Sequence, residues 1–165
     1  GLRDLGMTMN PQAAHYTLMG IETLSLRMER HVANAVQVAT WLENDPRIET
    51  VTYAGLPSSP WHDRVARICP KGAGALFTFA LKGGYDACVR LVDEVEIFSH
   101  VANLGDTRSL IIHPASTTHR QLTPEQQDAA GAAPNVVRVS IGIEDPDDLI
   151  ADLDRALGAA VSQAA

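Results

Sequence analysis

Residues 100–122, HVANLGDTRSLIIHPASTTHRQL, and 135–145, NVVRVSIGIED, decide how the chain is read. The first stretch closes one strand-like run, 96–102, and opens another, 109–113, across the turn signal Gly105-Asp106. The second holds a strand over 136–141 with a single arginine, Arg138, inside the run Val136-Val137-Arg138-Val139-Ser140-Ile141. A guanidinium keeps its charge and is costly to desolvate, so it enters such a run either paired with a carboxylate or facing water. Taken alone, an alternating strand with Arg138 on its solvent face is the more economical account. Upstream, however, Ala102-Asn103-Leu104-Gly105 places a polar side chain just before a tight glycine position. An arginine able to bind bidentately, beside a second hydrogen-bonding group, is what a small carboxylate ligand needs. On these residues both readings of Arg138 stay open.

Outward from these strands the pattern alternates. Residues 48–53 and 73–81 read as strands, the second bounded by Gly72 and by Gly83-Gly84. Helices are expected after Ser59-Pro60, over 85–95, from the capping-box-like Thr123-Pro124-Glu125-Gln126, and from Asp145-Pro146 through Leu149, Leu153 and Leu157. The acidic first turn of the last one suits the helix dipole. Near the amino terminus, Asn10 is an N-cap and Pro11 takes the first helical position. Apolar residues then recur at helical spacing from Tyr16 to Leu42, and Asp45-Pro46 ends the pattern. A continuous helix of that length would run about 50 Å, too long for the core of so small a domain, and Gly20 is the expected bend. The expectation is a connector over 1–45 and a compact α+β unit over 46–165. In that unit a mostly antiparallel sheet is covered by helices on one side.

Composition narrows the function classes. The 165 residues carry a net charge of −7, with 45% hydrophobic and 20% charged residues. Lys71 and Lys82 are the only lysines, so no basic surface for nucleic acid is expected. No apolar run is long enough to span a membrane. The start, Gly1-Leu2-Arg3-Asp4, lacks the form of a signal peptide, and a cytoplasmic protein is expected; the missing initiating methionine fits either tag cleavage or a chain cut out of something longer. Cys69 and Cys88 sit singly in expected helices without metal-ligand spacing, which fits a reduced intracellular chain. His113 and His119 match no metal motif, and no metal is expected. Gly72-Ala73-Gly74 runs into strand residues, so a turn is expected there rather than a phosphate cradle. The Ser116, Thr117 and Thr118 hydroxyls are expected to serve turns or caps. Trp61 is expected to plug the core.

Several ordered segments together carry a further signal. They are Arg3-Asp4-Leu5-Gly6, Gly20-Ile21-Glu22-Thr23-Leu24, Leu26-Arg27-Met28-Glu29-Arg30-His31, Tyr53-Ala54-Gly55-Leu56-Pro57 and Lys71-Gly72-Ala73-Gly74-Ala75. The series continues in Leu110-Ile111-Ile112-His113-Pro114-Ala115-Ser116-Thr117-Thr118-His119 and Arg138-Val139-Ser140-Ile141-Gly142-Ile143-Glu144-Asp145. Across essentially its whole length the chain resembles the C-terminal part of the pyridoxal-phosphate enzymes of cysteine and methionine metabolism. Asn103, where most of that family has serine, and the Pro70 to Ala75 segment make it most similar to the O-acetylhomoserine sulfhydrylase branch.

The resemblance implies a fold and a set of roles. The fold would be the C-terminal small domain of a fold-type I enzyme, entered through a long connecting helix. Arg138 would pair with the substrate α-carboxylate, with Asn103, the Leu104 backbone and Thr118 as further substrate contacts. Asn103 in place of serine puts in doubt any step that needs a hydroxyl there. The implied reaction is γ-replacement: acetate leaves Cγ of O-acetylhomoserine and sulfide takes its place, giving homocysteine. Pyridoxal 5'-phosphate, its Schiff-base lysine and its phosphate contacts would belong to an upstream domain. No catalytic or cofactor-binding residue is therefore expected in this chain, and the chain alone is expected to be inactive. The resemblance also implies a homodimer or homotetramer for the full-length form. A cystathionine synthase or lyase type of activity, or an amino-acid- or protein-binding module without chemistry, remain the alternatives.

Overall fold

The structure, a computed structural model, describes residues 2–162. In chain order the elements are α1 (Leu2–Leu5), α2 (Pro11–Glu22), α3 (Leu24–Glu43), β1 (Ile48–Thr52), α4 (His62–Ile68), β2 (Leu76–Leu81) and α5 (Gly84–Glu94). There follow β3 (Ser99–His100), β4 (Leu110–Ile112), α6 (Pro124–Ala129), β5 (Val136–Ser140) and α7 (Pro146–Ser162). The strands form a five-stranded sheet in the order β1-β2-β5-β4-β3. Three pairings are antiparallel and the β3–β4 edge is parallel, so the sheet is mixed but mostly antiparallel.

Alternation along the two central strands sorts side chains between two faces. Phe77, Phe79 and Leu81 of β2, Val137 and Val139 of β5 and Ile111 of β4 are buried in the core. Against them pack Val38 and Leu42 of α3, Leu91 of α5, and Leu149, Leu153 and Leu157 of α7. Each such side chain contributes about 1.5–3 kcal/mol on full burial. The opposite face carries Thr78, Arg138 and Ser140, with Arg138 in register between Thr78 and Ile112. The helix-covered face is thus the core, and the other face presents the candidate site.

The amino-terminal helical segment ends at Glu43, and the last part of α3 packs into the core beneath the sheet. It is divided at Thr23 (φ −103°, ψ 3°) rather than bent at Gly20, which lies within α2. An isolated helical glycine costs about 1 kcal/mol without ending a helix. At the actual break the Arg27 guanidinium donates back to the Gly20 carbonyl. Helix α2 buries no residue, whereas α3 is buried from His31 to Leu42. Three other expectations change. Strand β3 covers two residues of the expected 96–102, because Val101 to Gly105 leave the sheet as an exposed loop. Cys69 caps the end of α4 instead of lying within it. Trp61 is 56% exposed and is no core plug, since the short α4 buries none of its own residues. The capping box at Thr123 forms as expected, with both reciprocal bonds to Gln126.

Candidate functional site

Arg138 occupies the middle of β5 on the face away from the helices and is half-buried. Its Nη2 donates to the Asn103 carbonyl oxygen at 3.4 Å, so strand and loop meet as the sequence suggested. Among the described residues no carboxylate pairs with it. Asp106, three residues beyond Asn103 in the same loop, is paired with Arg108. The Arg108 amide and guanidinium both donate to it and hold its carboxyl below the usual carboxylate range. A half-sunk guanidinium with a single long hydrogen bond to a neutral carbonyl retains most of its capacity for an anion.

The loop facing Arg138 has an open tip and fixed ends. At the tip Asn103 and Leu104 are exposed, and the Leu104 amide donates to Asn103 Oδ1 at 2.9 Å. That amide is therefore satisfied internally rather than pointing free. Gly105 adopts φ 73°, a left-handed conformation that favours glycine, and its amide donates to the buried Ser140 hydroxyl at 3.2 Å. Further along, Ser109 donates from its amide and hydroxyl to the two Glu144 carboxylate oxygens, at 2.6 and 2.9 Å. The Ser109 hydroxyl in turn accepts from the Gly142 amide at 2.8 Å. A Cβ at Gly142 would lie 2.4 Å from the Thr107 carbonyl oxygen, so no larger residue fits.

Helix α3 braces the strand side of the same site. The buried His31 bonds through Nδ1 to the Ile141 carbonyl at 2.7 Å, and a carbonyl only accepts, so Nδ1 carries the proton. Asn34 donates to the carbonyls of Gly142 and Glu144. A cavity of about 230 Å³ lies between Met28, His31, Leu76, Leu104 and Ser140.

Thr118 makes no hydrogen bond within this cluster. It is exposed, and its hydroxyl pairs with Nδ1 of the neighbouring His119 at 2.8 Å. It has no hydrogen bond to Arg138, Asn103 or Leu104. The Ser116 and Thr117 hydroxyls donate to the His113 carbonyl and hold the turn after β4, the local role expected for them. His113 is buried between Ser116 and the Pro134 carbonyl, and burial pushes its imidazole below the usual range, partly opposed by that carbonyl. Among the described residues no group of three or more His, Cys, Asp or Glu side chains could hold a metal. Lys71 lies exposed in a turn, and the exposed Lys82 donates to the Pro46 carbonyl.

Residues 2–158 match the family model described as Cys/Met metabolism PLP-dependent enzyme. The chain belongs to this family. Within the Cys/Met metabolism family it is 51% identical over 157 residues to O-acetyl-L-homoserine sulfhydrylase 1 of Thermus thermophilus, covering 95% of this chain and 37% of that protein. It is 48% identical to O-succinylhomoserine sulfhydrylase of Pseudomonas aeruginosa, covering 96% of this chain and 39% of that protein. A crystal structure of a putative O-acetylhomoserine (thiol)-lyase from Campylobacter jejuni superposes with a TM-score of 0.87 at 44% identity, over 95% of this chain and 37% of that one. That structure contains a pyridoxyl-lysine monophosphate. The chain thus spans less than two-fifths of the length of these relatives.

Sequence reasoning singled out Arg138 and Asn103 but passed over Ser140, Ser109, Glu144, His31 and Asn34, which fix their surroundings. A signal for Ser140 was present. It lies two residues from Arg138 on an apolar strand, hence on the same face, and a hydroxyl there requires a partner. The bonds from α3 join residues more than a hundred positions apart and have no local signature.

Proposed function

We propose that this chain is the C-terminal portion of a PLP-dependent O-acetyl-L-homoserine sulfhydrylase and supplies its substrate α-carboxylate site. In the reaction the Cγ–O bond of O-acetylhomoserine breaks, acetate departs, and sulfide forms the new Cγ–S bond of homocysteine. The observation that carries this reading is Arg138, half-buried, without a carboxylate partner among the described residues and hydrogen-bonded to the loop of Asn103 and Leu104. In the proposed site Arg138 grips the carboxylate through two charge-assisted bonds. Asn103 swings off the Leu104 amide, and both then donate to the same anion. Thr118 contributes from the turn after β4.

The cofactor supplies the electron sink and belongs to an upstream domain, with residues 1–45 as connector and 46–165 as the small domain of the fold-type I arrangement. The Cys69 and Cys88 thiols, both free, suit a reducing cytoplasm. The full-length form is a homodimer or homotetramer, and the chain alone is inactive. The similarity to an O-succinylhomoserine sulfhydrylase keeps a second acyl group in play. The test is turnover by the parent protein carrying the cofactor domain. O-acetylhomoserine with sulfide should yield homocysteine faster than O-succinylhomoserine with sulfide does, and faster than O-acetylhomoserine with cysteine yields cystathionine. Preference for cysteine would replace the sulfhydrylase with a cystathionine-forming enzyme. Carboxylate binding without turnover of any pair would leave a binding module.

A further inference from the structure

The loop of Asn103 and Leu104 is too exposed to be placed by packing, so whatever fixes it must be a small number of hydrogen bonds. Two anchors are visible. The Ser109 end is clamped by the Glu144 carboxylate and the Gly142 amide, and the Ile143 amide adds a bond to the Thr107 carbonyl at 2.9 Å. The tip end has two ties to β5, the Gly105 amide donating to the Ser140 hydroxyl at 3.2 Å and the longer bond from Arg138 Nη2 to the Asn103 carbonyl at 3.4 Å, and once Arg138 turns to an anion the Ser140 tie is the one that holds. Ser140 is 3% exposed. It is two residues from Arg138 on one strand, hence on the same face and about 7 Å along it. One rigid strand therefore carries both the guanidinium and the acceptor that locates the loop opposite it. The strand itself is braced by His31 and Asn34 from α3.

We propose that Ser140 is a positioning residue for the substrate carboxylate: its buried hydroxyl holds the Gly105 amide and so sets Asn103 and Leu104 at their working distance from Arg138. The inference rests on the carboxylate-site reading given under Proposed function. Ser140 touches no reacting atom. Its loss leaves Arg138 in place but frees the loop to sample positions from which Asn103 and Leu104 cannot reach the anion. That ordering must then be supplied on binding, which weakens substrate affinity and leaves the chemical step unaltered.

The test uses the parent enzyme with its cofactor, as steady-state kinetics against the amino-acid substrate. Ser140→Ala should raise KM about tenfold, the equivalent of one hydrogen bond, with kcat changed by less than about threefold. Ser140→Thr should restore KM, because it keeps the hydroxyl and Ser140 borders the 230 Å³ cavity where the added methyl can lie. A second pair avoids the core altogether. Gly105→Ala meets no atom within 4 Å but strains φ 73°, and it should raise KM like Ser140→Ala. Gly105→Asn, which tolerates that conformation, should raise it less. Arg138→Ala is run beside them. A raised KM for Arg138→Ala with unchanged KM for Ser140→Ala and Gly105→Ala overturns the positioning role and spares the carboxylate reading. A fall in kcat with loss of thermal stability, not rescued by threonine, also overturns it, since it marks a merely structural serine. Unchanged KM in Arg138→Ala removes the carboxylate reading and this inference with it.

Discussion

Truncation of Glu144 tests the clamp on the site loop without touching Arg138. Ser109 is wholly buried, and both its amide and its hydroxyl end on the Glu144 carboxylate. In Glu144→Ala the amide has no acceptor, which costs about 1–3 kcal/mol, and a charge-assisted bond to the hydroxyl is lost as well. The Glu144 backbone carbonyl keeps its bonds from Asn34 and Arg30, so the damage stays local. A destabilisation of about 3 kcal/mol is expected for alanine. Glu144→Gln behaves differently. Its side-chain carbonyl still accepts from the Ser109 amide, and its NH2 donates to the hydroxyl, which gives up one donated bond, so about 1 kcal/mol is expected. For a chain of this length that corresponds to Tm losses of roughly 6–12 °C and 2–4 °C. Urea unfolding of the chain followed by far-UV circular dichroism measures both. If the two variants fall within about 0.5 kcal/mol of each other, the span of an ordinary surface substitution, the clamp does not hold the loop as argued.

Other outcomes follow from the same structure. Burial pushes the Cys88 thiol up to about 12, while Cys69 is exposed. Iodoacetamide at neutral pH should therefore label the native chain once, at Cys69, and a peptide map showing native labelling of Cys88 contradicts that. His113 is held below its ordinary value of 6.5 by burial. The unfolded chain then takes up a proton that the folded chain refuses, so stability is fully present above about pH 6.5 and declines as pH falls toward the folded value. Urea midpoints at pH 7.5 and 5.5 should separate less in His113→Gln than in wild type, and equal separations count against the assignment. Tyr16, Leu18, Met19 and Ile21 of α2 are each more than half exposed. The chain should self-associate through this face, with Leu18→Glu reducing the effect. Sedimentation velocity showing a compact monomer at high concentration rules it out.

How much of this was readable in the sequence depended on range. A strand lies within each stretch that reads as one, although β3 keeps only two residues of 96–102, and the capping box at Thr123 is legible in four adjacent residues. The helix break was misplaced because glycine content is a weaker determinant than where carbonyls freed at a break find donors, here from Arg27 to Gly20. A Trp at a loop-to-helix start can be an exposed contact or a core plug, and Trp61 is the former because the seven-residue helix after it buries no residue. Arg138 was legible as an oddity, since charge inside an apolar strand is a local fact. The bonds that tie it to function, from Ser140 to Gly105, Glu144 to Ser109 and His31 to Ile141, join distant positions and emerge only in three dimensions.

The central claim is that Arg138 binds the substrate carboxylate. Its most direct test is Arg138→Ala beside Arg138→Lys in the parent enzyme, assayed with O-acetylhomoserine and sulfide. Loss of a charge-assisted bidentate contact should raise KM and lower kcat/KM by about 10² or more for alanine, with lysine recovering only part because a point charge cannot make the paired bonds. Cofactor content should stay at wild-type level. A wild-type KM in Arg138→Ala would contradict the account at its foundation.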